Sequence, residues 1–197
     1  MRLTDDRYAG ERSQFELALR MIGHEARTST IRDCTGLSDD RIRKLYARYF
    51  KHRGQAGIRR RRGKSPRQVT RFVKNPQHQL QATTLVALFC AGGLLRMDDE
   101  NKVHSRWPRP NVEFGHRVCR AFENYLLLHE QPLLSFEWAW NLLKSIAWND
   151  ELYLAVCRGC RGCYVQDAYA LDLKTCPACE IENHQRRRPG VRSFSTA

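Results

Sequence analysis

Four of the eight cysteines in this chain form two Cys-x-x-Cys pairs, Cys157-Arg-Gly-Cys160 and Cys176-Pro-Ala-Cys179, separated by fifteen residues. Each pair can present two thiolates from one tight turn, and a loop of that length lets the two turns close around a single ion. The chemistry this spacing points to is tetrahedral zinc ligation. Two disulfides, or one redox-active pair, are the other uses of such cysteines, and no sign of an oxidising compartment accompanies them. Gly159 and Ala178 are expected to keep the turns uncrowded. Cys163 continues the spacing and makes Cys160-Arg-Gly-Cys163 a competing pair; it is read as a spare thiol. Four thiolates leave no position for water, so the expectation is one structural Zn(2+) per chain held by Cys157, Cys160, Cys176 and Cys179.

Other chemistry has little support. The seven histidines are scattered, and only His184, five residues past Cys179, stands where it could replace a thiolate. There is no Gly-rich phosphate loop, nucleophile elbow or catalytic carboxylate pair, and Asp98-Asp-Glu100 lies in a polar stretch without a partner motif. The chain is not expected to be an enzyme.

Charge gives the next constraint. Thirty-four Lys and Arg face 21 Asp and Glu, for a formal net charge of +13 and a pI near 9.8. Arginine dominates the basic residues, and guanidinium suits phosphate and guanine edges, which favours nucleic acid over a merely solubilising surface; double-stranded DNA is the partner expected. The amino terminus is acidic where a secretory signal would be apolar, and the longest apolar run, Leu85 to Leu95, is eleven residues against the roughly 20 needed to span a bilayer. A cytoplasmic protein without membrane attachment is expected, with Cys34, Cys90 and Cys119 as small core side chains.

The elements that would position these residues are mainly helical. From Arg7 to about Ala26, Phe15, Ala18, Leu19 and Ile22 recur at helical spacing. Thr28 to Phe50 has a helix-turn-helix pattern: Ile31 inward, a turn at Gly36, Leu37 in the angle, Ser38 as cap, and Ile42, Leu45, Tyr46 and Tyr49 as the buried stripe. The opposite face carries Arg41, Arg43, Lys44 and Arg48, arranged either to read a major groove, to touch phosphates only, or as a solvated face. Arg59, Arg60, Arg61, Arg62, Lys64 and Arg67 lie in a Gly/Pro-punctuated run with almost no apolar content, read as a mobile arm suited to phosphates. Helices return from Pro76 to Gly92-Gly93, with Leu80, Thr84, Leu85, Leu88 and Phe89 inward, and from Asn111 to His129, with Phe114, Val118, Phe122, Tyr125 and Leu126 inward. Met97 to Pro110 reads as a loop. Leu133 to Trp148 is apolar over so much of its circumference that burial on two sides is expected, in part by a partner. The resulting divisions are 1–55 helix-turn-helix-like, 56–75 basic connector, 76–150 helical core and partner surface, 151–182 zinc module, and 183–197 basic disordered tail.

This order of parts resembles the bacterial flagellar transcriptional activator subunit FlhC. The resemblance covers roughly Arg12 to Cys179 and is carried by Arg41-Ile-Arg-Lys-Leu-Tyr46, the basic connector, and the segment Pro132-Leu-Leu-Ser-Phe-Glu-Trp-Ala-Trp140 running into the four-cysteine module. It implies a zinc-containing DNA-binding subunit that assembles with a second subunit, FlhD, binds upstream of flagellar operons and helps RNA polymerase start transcription. By position it implies Cys157, Cys160, Cys176 and Cys179 as the zinc ligands. The chain departs from that pattern in Cys163 and in the polar stretch Met97 to Pro110. An RNA-binding or ribosome-associated zinc-ribbon protein fits the charge and the cysteines equally well, and a scaffold acting only through its tryptophan-rich helix is a further alternative.

Overall fold

The computed structural model describes residues 2–51, 57–59, 61, 68–98, 102–148, 151–169 and 174–187, and the side chains of residues 2–7, 185 and 187 lie outside that description. The architecture is mainly helical, with two small antiparallel hairpins. Helix α1 (Arg2–Gly23) buries Leu17, Ala18, Met21 and Ile22, while Phe15 and Leu19 pack at the edge of the core. Helix α2 (Thr28–Thr35) ends where Gly36 takes a left-handed φ of 71° and returns its N–H to Arg32 O at 2.8 Å; this is where a residue without Cβ is needed. Leu37 is buried, and Ser38 accepts from the Arg41 N–H to start α3 (Asp39–Tyr49), whose first turn holds Asp39 and Asp40 against the helix dipole. Ile42 and Leu45 are buried as expected, but Tyr49 is not: it points outward from the last turn.

Helix α4 (Pro76–Ala91) starts from an Asn75 cap with Pro76 in its first turn, and contacts α5, α6, α7 and both hairpins. Its inward residues differ from the sequence expectation. Leu85 and Phe89 are buried, Leu80 and Leu88 only half-buried, and Gln79 and Gln81 are interior. These glutamines are tolerated because they are bonded: Gln81 takes the Tyr125 hydroxyl and the Leu133 N–H on Oε1 and donates to Gln131 O, which pins the chain around Pro132.

The stretch expected as a loop contains a hairpin, β1 (Leu95–Met97) and β2 (Val103–Ser105), with Leu95 opposite Ser105. It forms without strong alternation because Asp98 accepts from the Lys102 N–H at 2.8 Å and meets His104 Nε2 at the same distance, while Trp107 Nε1 donates to Gly93 O. Helix α5 (Val112–Leu128), capped by Asn111, buries Phe114, Val118, Phe122 and Tyr125, but leaves Leu126 exposed. Helix α6 (Phe136–Ala147) is buried around most of its girth, with Trp140 interior and Trp138 half-buried. Its interior Glu137 accepts from the Arg27 backbone N–H at 2.7 Å, satisfying one of the orphan donors at the start of α2.

Strands β3 (Leu152–Val156) and β4 (Cys163–Asp167) form the second hairpin, and α7 (Pro177–Arg187) closes the described chain. One continuous apolar core includes Leu17, Ile42, Phe89, Trp140, Leu152 and Val165, and so runs through the divisions drawn at 55 and 150. Residues 183–187 continue α7 where a disordered tail was expected. No helix of the described residues is long and apolar enough to cross a membrane.

Candidate metal centre and basic face

Strand β3 delivers Cys157 to the end of the second hairpin, where its N–H donates to Gly162 O and its carbonyl accepts from the Arg161 N–H, both at 3.0 Å. The turn that results is tight enough to put Arg161 at a φ of 63°, a left-handed conformation uncommon outside glycine. Gly159, the residue credited with relieving crowding, does not do so. A Cβ there would lie 3.7 Å from Cys179 Sγ, an ordinary contact. The second pair arrives from the other side: Cys176 precedes α7 and Cys179 sits in its first turn. A bond from the Arg158 N–H to Lys174 O, 3.0 Å, ties the two approaches together.

The four sulfurs of Cys157, Cys160, Cys176 and Cys179 lie within 4.8 Å of one another. Cys160 Sγ is 3.6 Å from Cys176 Sγ, and Cys157 Sγ is 4.0 Å from Cys179 Sγ. Metal–sulfur bonds of about 2.3 Å in a tetrahedron require sulfur–sulfur edges of about 3.8 Å, so the thiols already have the outline of a four-sulfur site. They are free thiols, not disulfides. Backbone amides also point at sulfur: Cys176 N–H donates to Cys157 Sγ at 3.2 Å and Cys179 N–H to Cys176 Sγ at 3.5 Å.

Without a cation the four groups cannot all ionise. Amides of Cys160 and Cys176 hold the Cys157 thiol down to about 6. Hydrogen bonding to Cys176 and Cys160 pushes Cys179 up to about 12, and burial raises Cys176. One thiolate is thus stabilised at the expense of neighbours that keep their protons, and a bound dication is what would let all four serve as ligands. Arg158, Arg161 and Lys174 stand exposed around the site, suitably charged to offset an anionic metal–thiolate centre.

Cys163 starts β4, opposite Val156, and is not part of the cluster. His184 lies on the exposed side of α7 beside Glu180 and is also outside it. The remaining cysteines are core thiols: burial pushes Cys119 up to about 12 and moves Cys34 in the same direction, and Cys90 is half-buried with its thiol also raised by burial.

The basic residues do not form one surface of free charge. On α3, Arg41, Arg43, Lys44 and Arg48 are all exposed. Arg41 lies over Phe15 at 4.6 Å, Lys44 pairs with Asp40 at 2.9 Å, and Arg48 rests near the Tyr49 ring. Arg43 and Arg48 pair with no carboxylate among the described residues. The connector is partly held down: Tyr46 Oη donates to Ile58 O, Arg59 N–H donates to Glu25 Oε1 at 3.1 Å, and Arg61 pairs with Glu25 Oε2 at 2.8 Å. The segment expected to be mobile is therefore fastened at Ile58, Arg59 and Arg61 to α3 and to Glu25, itself at a positive φ of 58°. Nothing in the sequence marks Glu25 as the anchor, because its partner lies 36 residues away. Arg60, Arg62, Lys64 and Arg67 lie outside the described residues. No family model matches the chain, and no curated protein matches it.

Proposed function

We propose that the chain is a zinc-stabilised, DNA-binding transcriptional activator subunit of the FlhC type, acting in the cytoplasm. It would assemble with an FlhD subunit into a hetero-oligomer, bind upstream of flagellar operons and assist RNA polymerase. The observation that carries this reading is the corner formed by α2, the left-handed Gly36 and α3, with Leu37 buried in the angle and Arg43 and Arg48 outward on α3. In a helix-turn-helix of that shape α3 lies in the major groove, with Arg43 at a base edge and Arg48 at the backbone. Arg61 would add phosphate contact once released from Glu25, together with the rest of the basic run.

Zinc at Cys157, Cys160, Cys176 and Cys179 would supply a closed, structural coordination sphere. The chain's own part is to bring Cys157 and Cys176 from two approaches and neutralise the centre's charge with Arg158, Arg161 and Lys174.

The test is selection of bound duplexes from a random pool by the metal-loaded chain, alone and with the partner subunit, against a structured RNA competitor. A recovered duplex motif whose preference changes at one position in Arg43→Ala supports the reading. Equal loss on every sequence reduces α3 to a backbone contact, and preferential retention of the RNA transfers the function to RNA binding.

A further inference from the structure

Beside Asp33 of α2, a groove of about 440 Å³ opens between α6 and the segment before α5, within the size range of small-molecule sites. One wall is a stripe at four-residue spacing, Trp140, Lys144 and Trp148; the other is the Pro108-Arg109-Pro110 segment, whose two prolines limit its backbone freedom. The indoles are braced from behind by a single ring: Phe114 meets Trp140 edge-on at 5.9 Å and Trp148 at 6.1 Å with a 45° tilt. Trp148 keeps 37% of its surface exposed, so an aromatic ring is presented to the groove. Lys144 and Arg109 are exposed and pair with no carboxylate among the described residues, and among those residues Asp33 of α2 is the acid that lines the rim.

A flat apolar ring, two cations and the Asp33 carboxylate select for a planar heterocycle that carries an anion and bears N–H donors. We propose that this groove binds a nucleoside phosphate, with the base stacked on Trp148, the phosphates between Lys144 and Arg109, and Asp33 accepting from the base. Stacking serves any base, and the cations supply charge-assisted bonds to phosphate. Guanine, with two N–H donors on one edge, suits the Asp33 carboxylate better than adenine, with one amino group. The proposal does not depend on the DNA-binding reading.

The experiment titrates the full metal-loaded chain with GDP, ADP, guanosine and sodium pyrophosphate, followed by tryptophan fluorescence and calorimetry. GDP is expected to bind one per chain, about tenfold or more tighter than guanosine or pyrophosphate, and tighter than ADP. Lys144→Ala and Arg109→Ala should each weaken GDP about tenfold and leave guanosine unchanged. Trp148→Ala should weaken both, Trp148→Phe should restore much of the loss, and Asp33→Asn should narrow the gap between GDP and ADP. Arg12→Ala, on the exposed face of α1, should leave GDP binding unchanged, and melting temperatures near that of the parent confirm that the variants fold. Absence of saturation overturns the proposal. So does pyrophosphate binding as tightly as GDP, or indifference of GDP to both Trp148→Ala and Lys144→Ala, since either marks plain anion binding by a basic surface.

Discussion

Gln79 on α4 donates from Nε2 to the backbone carbonyl of Val165 on β4 at 2.9 Å, and also reaches Gln166 Oε1 at 3.2 Å. Gln79 is 2% exposed, so this is an interior bond that fixes the cysteine-bearing hairpin to the helical body. Replacing it by leucine would fill the space but deprive the buried Val165 carbonyl of this donor, at a cost of about 1–3 kcal/mol. The expected result for Gln79→Leu is a lower melting temperature, with amide exchange accelerated first at residues 163–167.

The hairpin and the cysteine turns should respond differently to metal removal. Leu152 and Val165 belong to the main core, whereas among the described residues the cluster around the sulfurs has Tyr164 as its one large buried side chain. A structural zinc contributes apparent free energies on the order of 10–16 kcal/mol in small modules, far more than the burial of Tyr164 in the described cluster supplies. Chelation, or Cys157→Ser, should therefore expose the amides of 157–162 and 174–187 to exchange while β3, β4 and the tryptophan helix stay protected. Cys163→Ser should keep one metal per chain. Loss of metal from the Cys163 variant would place that thiol in the coordination sphere.

Acid should weaken the joint between α1 and α5. Arg20 Nε donates to Glu123 Oε1 at 2.7 Å and His24 Nε2 lies 2.9 Å from the same oxygen; the Arg20 bond, opposed by burial and aided by His24, holds the Glu123 carboxyl down to about 2. A depressed folded-state value means stability that is fully present above the ordinary carboxyl range and lost as pH falls from about 4.5 toward 2. Glu123 is 37% exposed, so solvent screening keeps the contribution to about 1 kcal/mol or less. Glu123→Gln should lie below the parent by that amount at neutral pH in urea titrations, and the two curves should draw together as pH falls from about 4.5 and meet only near 2.

Local features of the fold were legible in the sequence because their causes are local. Gly36, Leu37 and Ser38 announce a turn and a cap within three residues, and the spacing of four cysteines carries its own geometry. The inward face of α4 was not legible. That helix is covered on several sides, so its apolar residues mark no single stripe, and the burial of Gln79 and Gln81 depends on partners 44 to 87 residues away. The same holds for the connector, where Arg59 and Arg61 read as part of a mobile arm until their bonds to Glu25 are found. The hairpin at 95–105 was missed for a different reason: its strands are three residues long, and turn bonds to Asp98 replace alternation as the ordering influence.

Gly115 of α5 lies close against Leu17 of α1 and Cys34 of α2, and its role is steric. A Cβ at this position would come within 2.5 Å of Leu17 Cδ2 and 3.1 Å of Cys34 Cβ, both in fully or nearly fully buried side chains. The leucine methyl could turn aside, but the Cys34 Cβ moves only with the α2 backbone. Gly115→Ala should thus overpack the junction and cost about 1–3 kcal/mol, despite the higher helix propensity of alanine. Leu17→Ala alone should cost about 2–5 kcal/mol by opening a cavity. Because the added methyl would enter the space that leucine vacates, the double variant should be more stable than the sum of the two losses predicts, a coupling readable in a urea double-mutant cycle. Strict additivity would mean that the crowding at Gly115 is relieved elsewhere and that the three helices are not set by this contact.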